Sequence, residues 1–285
     1  MAIAPLLSMR IGIFAKTFPR LTIEATLDAV AAHGITDVQF NLSCAGLPTL
    51  PPRFSPDPCA RVAEAFAARG LTMAAVSGTF NMAHPDPAVR SDGLAGLRCL
   101  LRSCPTLGTS VVTLCTGTRD PSDMWRHHPD NATPEAWDDL TATLREALDA
   151  AEKFGVTLAF EPEIANVVDS APKARRLLDA VGSNRLKVVI DPANLLPLGT
   201  LPRMREVLDE AFALLGPDIV LAHAKDLCRD GEAGHQAAGT GVLDYDHYLG
   251  LLKGSGYTRA LVLHGLAEGE VASSVAFLRE KLDRV

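Results

Sequence analysis

Eight short apolar runs recur along this chain, at 11–15, 37–40, 72–76, 110–115, 156–160, 186–190, 219–222 and 260–263, and each is followed by a longer segment with helical periodicity. Runs such as Val188-Val189-Ile190 and Leu261-Val262-Leu263 show no polar alternation. Strands of that kind need cover on both faces, which a parallel sheet wrapped in helices provides. Eight strand–helix units in succession, with no break in composition, predict one closed barrel of the α/β class, a (β/α)8 or TIM barrel forming a single domain over residues 1–285. An open, doubly wound sheet is the competing architecture. It calls for a glycine-rich phosphate turn after an early strand, whereas the first turn here reads Ala15-Lys16-Thr17-Phe18-Pro19.

The helical segments carry their own punctuation. Thr22 is placed to cap a helix bearing Ile23, Leu27 and Val30 that ends before Gly34. Thr133 followed by Pro134 predicts a second start, with Trp137, Leu140, Leu144 and Leu148 on one face and Gly155 at the end. Ser170 and Gly182 bracket a third, and Val271, Val275, Leu278 and Leu282 mark the last. The connection from Thr116 to Asn131 has no clear pattern. It contains Trp125, His127 and His128, and loops of that length are often lids or binding loops.

Hydrophobic residues make up 47% of the chain, enough for a large core, but aromatics only 5%, so aliphatic side chains must fill it. The formal net charge is −7, with no basic run of the kind nucleic-acid binders present. A small-molecule substrate fits better than nucleic acid. No apolar run approaches the ~20 residues of a membrane span. Residues 1–10 have no basic region before their apolar stretch and read as a ragged leader, with Met9 an alternative start. The six cysteines show no CxxC and read as reduced thiols, which with the missing signal peptide predicts a cytoplasmic protein.

In a barrel the chemistry sits at the C-terminal ends of the strands. Here the last four strands end in Glu161-Pro162-Glu163, Asp191-Pro192-Ala193-Asn194, His223-Ala224-Lys225-Asp226 and His264-Gly265. Each puts a potential metal ligand directly after an apolar run. Neighbouring strands lie roughly 4.8 Å apart, so four such side chains can converge on one ion. Two carboxylates and two imidazoles suit Mn, Co, Zn or Fe better than Mg.

With these four pieces and the later Gly239-Thr240-Gly241-Val242-Leu243-Asp244-Tyr245, the whole chain resembles the xylose-isomerase-like barrel superfamily, which includes the sugar phosphate isomerases and epimerases. The resemblance implies one divalent metal held by Glu161, Asp191, His223 and a fourth ligand. His264 stands where the sugar epimerases carry a glutamate. That substitution leaves three possibilities for the second base: His264 itself, Glu268 swinging in, or a reaction needing one carboxylate only. Glu161, directly ending its run, is the preferred ligand. Glu163, two residues on, is then a base or a substrate contact.

The resemblance further implies an isomerase or epimerase acting on a sugar, sugar phosphate or hydroxy-ketone through a metal-stabilised enediolate. A dehydratase lyase and a non-catalytic sugar-binding barrel are the alternatives. The endonuclease branch is disfavoured, because strands two and three end in Gln39-Phe40-Asn41 and Val76-Ser77-Gly78 without histidines. Substrate contacts are expected from Lys16, Gln39, Asn81, His84, Arg119, Asn194, Lys225, Asp226, Arg229 and Glu268, with Lys16 and Arg119 placed to receive a phosphate or carboxylate. Members of this superfamily often pair, which makes a homodimer a further expectation. Asp244 reads as a helix cap, so Gly239-x-Gly241 is not taken as a phosphate loop.

Overall fold

The structure is a computed structural model and describes residues 9–53 and 55–284. Its strands are β1 Arg10–Phe14, β2 Asp37–Phe40, β3 Thr72–Ser77, β4 Val111–Cys115, β5 Thr157–Glu161, β6 Leu186–Ile190, β7 Ile219–Asp226, β8 Gln236–Ala237 and β9 Ala260–Leu263. All except β8 are parallel and pair in sequence order. The β1–β9 and β6–β7 pairings close the ring, with β7 beside β9. Eight helices surround it: α1 Ile23–Ala32, α2 Pro56–Ala67, α3 Pro87–Leu107, α4 Pro134–Phe154, α5 Ala171–Val181, α6 Met204–Leu215, α7 Tyr245–Gly254 and α8 Val271–Leu282. This is a (β/α)8 barrel.

The expected helix ends form as the sequence dictates. Thr22 and Thr133 accept hydrogen bonds from the Ala25 and Ala136 amides, each at 3.2 Å, and Asp244 accepts from His247. Ser170 stands at the start of α5 but makes no side-chain cap. The ten-residue leader needs correction at its end. Arg10 opens β1, where its guanidinium makes two 2.9 Å bonds to the buried Asp37 carboxylate. Residues 1–8 lie outside the described residues. No helix among the described residues is long and apolar enough to cross a membrane.

Two cores divide the apolar residues. The larger lies between strands and helices. The smaller plugs the barrel interior with Ala75, Val111, Ala159, Val189, Leu221, Ala260 and Val262. Successive side chains of a strand alternate faces, so residues two apart share one. Stepping by two from these plugs leads up the inner wall to Ser77, Thr113, Glu161, Asp191, His223 and His264. The interior is therefore apolar and small below, polar and ionisable above.

Strand β7 runs past its neighbours. Its last barrel partners are Ala222 with Ile190 in β6 and Ala224 with Leu263 in β9. The protruding tip pairs antiparallel with β8 through Lys225–Ala237 and Asp226–Gln236. The hydroxyls of Tyr248 and Tyr245 donate to the His223 and Lys225 carbonyls at 3.0 and 2.8 Å.

Candidate active site

Four ionisable side chains, Glu161, Asp191, His223 and Lys225, meet at the top of the barrel. The Lys225 ammonium lies 2.8 Å from Asp191 Oδ2 and 3.6 Å from Glu161 Oε1. His223 Nδ1 is 3.2 Å from Asp191 Oδ2 and 3.5 Å from Glu161 Oε2. His223 Nε2 donates to Gln39 Oε1 at 2.8 Å. Asn194 fixes Glu161 from the side. Its amide Nδ2 donates to Glu161 Oε1 at 2.5 Å while its Oδ1 accepts from the Gly234 amide.

Burial disfavours the charged forms of all these groups, so the net outcome depends on which partners outweigh it. For Asp191, Lys225 and the His223 hydrogen bond win, and its carboxyl is held well below the usual range. Glu161 is lowered by Lys225 and His223 against its own burial. His223 is lifted to about 9, because Glu161 and Asp191 outweigh desolvation. Lys225 stays charged for the same reason. Glu163 goes the other way. Burial and then the neighbouring Glu161 charge push its carboxyl up to about 7.

His264 is the exception among the bases. Burial, Lys225 and His223 hold it well below the normal imidazole range, so it is neutral. Its ring stacks on His223 at 4.8 Å and on Phe14 at 4.9 Å. Its Nδ1 is buried without a hydrogen-bond partner. Ligand atoms of Asp191, His223 and His264 lie within 4.8 Å of one another. An orphaned neutral imidazole nitrogen beside a carboxylate and a second imidazole is a donor set that fits a divalent metal. Gln39 completes the fit, since a ligating histidine normally donates its other N–H to a fixed acceptor.

Gln39, Glu161, Glu163, Lys225 and His264 line a cavity of about 360 Å³ together with Lys16, Asn41, Ser77, Thr113 and Trp125, while Asp191 and His223 stay buried. Glu161 and Glu163 both face it, although β5 stops at Glu161 and Glu163 enters a turn whose amide bonds the Val168 carbonyl. Asn41, Ser77 and Thr113 were not singled out from sequence. The signal was available in the period of two: Asn41 and Ser77 are polar residues at strand ends, and Thr113 interrupts the otherwise apolar β4 at its middle.

Several expected substrate contacts are engaged elsewhere. Asn81 accepts from the Thr118 amide at 2.9 Å, and it packs where a Cβ on Gly117, whose φ is +78°, would come within 2.2 Å of its Oδ1. His84 bridges the Pro121 carbonyl and the Asp86 amide. Arg119 is buried against Asp139 at 2.6 Å, Glu135 and the Ala83 carbonyl. Asp226 collects the amides of Leu227, Gly239 and Leu243. That carboxylate lies 2.3 Å from where a Cβ on Gly241 would sit, and a Cβ on Gly239 would meet the Phe277 ring at 2.6 Å, so the two glycines make room for Asp226 and Phe277 rather than for a phosphate. Arg229 pairs with Glu232 at 2.9 Å, and Glu268 pairs with Arg20 at 2.5 Å, away from the cavity residues. These residues hold loops together. None of them lines the cavity.

Residues 27–281 match the family model described as a xylose isomerase-like TIM barrel. The chain belongs to this family. Solved structures of the same fold include a D-tagatose 3-epimerase-like protein, with 18% identity, a TM-score of 0.78 and coverage of 97% of this chain and 98% of that one. The 3-keto-D-glucoside 4-epimerase of E. coli is 16% identical, with a TM-score of 0.74 and coverage of 96% and 100%. The IolI protein with a bound zinc atom is 18% identical, with a TM-score of 0.72 and coverage of 96% and 98%. Within this xylose isomerase-like barrel, the departure from the expected four-ligand pattern is His264.

Proposed function

We propose that this barrel is a metal-dependent isomerase or epimerase of a sugar, sugar phosphate or related hydroxy-ketone. The observation that carries the reading is the buried, unpartnered Nδ1 of His264, on a residue that offers a ligand atom within 4.8 Å of those of Asp191 and His223. Glu161, Asp191, His223 and His264 would hold one divalent ion, with Mn, Co, Zn or Fe favoured over Mg by the two imidazoles. When bound, it supplies positive charge for oxygen atoms that become negative in the reaction.

The chain's own residues supply the rest. Glu163, with its carboxyl near 7 and its side chain on the cavity, is poised to take a proton from the carbon beside a carbonyl. Returning that proton to the neighbouring carbon is isomerisation. Delivery to the opposite face by a second group is epimerisation. Asn194 fixes the Glu161 carboxylate, Gln39 fixes the His223 ring, and the Lys225 ammonium faces developing negative charge with no reorganisation.

Metal content measured by mass spectrometry tests the reading. Wild type is expected to carry near one transition metal per chain, with His223→Ala and His264→Ala both losing it. Absence of metal from wild type after reloading with Mn, Co and Zn overturns it. The loaded protein is also expected to exchange solvent deuterium into at least one member of a ketose and aldose panel.

A further inference from the structure

A second cavity, of about 410 Å³, adjoins the first and shares Trp125, Glu163 and Ala233 with it. The side chains that line it differ in kind. The inner cavity is ringed by hydrogen-bonding groups, whereas the outer one is walled by Trp125, Ile164, Pro197 and Leu198. Trp125 is 51% exposed and Leu198 84% exposed. Lone apolar side chains on a surface need no explanation, but two large ones lining one cavity beside a candidate active site do.

The platform beneath Trp125 is rigid. Asp120 accepts from the Ser122 and Asp123 amides, each at 2.9 Å, and Arg126 pairs with it at 3.0 Å. Asn131 ties the base of the same loop to Arg119 and to the Ala165 carbonyl. The indole is therefore presented by an ordered loop, which lowers the entropic cost of binding against it.

We propose that the outer cavity is an aglycone subsite: the substrate is a glycoside or similar conjugate whose sugar keeps a carbonyl beside an enolisable C–H and occupies the inner cavity, and whose apolar, ring-shaped substituent lies against Trp125 and Leu198. This rests on the functional reading above and narrows its substrate class. A second sugar is the poorer occupant. Beyond the shared Glu163, the outer lining offers only His127 and Glu232 as polar side chains, and Glu232 is already engaged by Arg229 through two 2.9 Å bonds. Most hydroxyls of a second sugar would lose water without gaining partners. A flat apolar group loses nothing and buries indole and leucine surface.

Calorimetric titration of the full chain with matched phenyl and methyl glycosides of the gluco, galacto and xylo series, in both anomers, together with cellobiose and lactose, tests this. At least one phenyl glycoside is expected to bind about ten-fold or more tightly than its methyl partner. Trp125→Ala, and Leu198→Ser, which touches the outer cavity alone, are each expected to shrink that ratio toward one. Equal affinities in every pair, a ratio that survives both substitutions, a disaccharide binding more tightly than any phenyl glycoside, or no binding at all overturns the assignment. These titrations read neither metal content nor deuterium exchange, so failure of the subsite and failure of the metal-dependent reading register in different measurements.

Discussion

Replacing Glu163 with glutamine is expected to cut solvent-deuterium exchange by roughly 10²–10⁴-fold, the range typical of a lost general base, while metal content stays at the wild-type level. The same substitution is expected to stabilise the chelated protein at alkaline pH. The folded-state carboxyl is raised to about 7 by burial and by Glu161, whereas in the unfolded chain it ionises near the ordinary value of about 4.3. Between these values the native state binds a proton that the unfolded state has lost, so stability falls as pH rises through that window. Above it the native protein carries the full cost of a desolvated charge beside Glu161. Glutamine removes that charge. Melting curves of the two proteins should coincide at pH 4 and separate at pH 8.5, with the variant higher by roughly 2–4 °C for each kcal/mol recovered. An exchange rate unchanged by the substitution would sink the assignment of Glu163 as base. For wild type the exchange rate is expected to climb with pH along an acid limb as Glu163 ionises, and a bound dication moves that limb to lower pH by favouring the carboxylate.

Asp191→Asn is expected to be the most destabilising single change in the site. Asp191 is fully buried and faces both the Lys225 ammonium and His223. Neutralising it leaves a buried lysine and an imidazole with Glu161 as their remaining carboxylate partner. Breaking one side of a buried pair typically costs about 3–5 kcal/mol, which in a domain of this size lowers Tm by on the order of 10 °C. Thermal unfolding at pH 7 in the presence of a chelator measures this. The double variant Asp191→Asn/Lys225→Met should recover part of the loss, since it removes the stranded ammonium as well. A drop in Tm below about 2 °C for the single variant would contradict the buried ion-pair account.

Protonation of His223 gives the pair a pH signature. The folded-state imidazole is raised to about 9, so its contribution is fully present below about 6.5 and is lost as pH rises through 9. Stability of the chelated wild type should decline across that window, and the decline should be shallower in His223→Gln. Asp191 is depressed, so its contribution holds above the ordinary aspartate range and fades only as strong acid protonates the folded carboxyl.

Seven of the eight barrel strands lie within one residue of where the apolar runs put them, because inner and outer faces are both buried and each run is long enough to register. The seventh was cut short at Ala222, whereas β7 continues to Asp226. Histidine, lysine and aspartate read as loop in a linear pattern. They remain strand here because His223 and Lys225 are paired across the site and Asp226 is satisfied by loop amides. The two-residue β8 had no pattern to find. The same limit applied at the site. Proximity to a strand end singled out Gln39, Asn194 and Lys225, which the fold sets against His223, Glu161 and both central carboxylates respectively. It did not separate them from Asn81 and His84, whose partners are loop groups, or from Arg119, whose partners include Glu135 and Asp139 of α4, all brought near only by folding. Lys16 lines the cavity. Counting by two from the apolar plug would have sorted Ser77 and Thr113 into the site from sequence.

The protruding tip of β7 shows how such a barrel can be customised. A strand that outgrows its neighbours normally bares carbonyls with no ladder partner, and buried carbonyls must be paired. Here β8 pairs with the tip, and two phenol groups from α7 add hydrogen bonds to the His223 and Lys225 carbonyls. Unlike a neighbouring strand, a tyrosine hydroxyl demands no matching extension and imposes no register. Lengthening one stave therefore costs the fold nothing in β6 or β9. It also lets a lysine stand one step above the tier of His223 on the same wall. The architecture treats the strands as a fixed drum with one adjustable post, so the height of a charged group above the ligand tier can change without retuning the closure of the barrel.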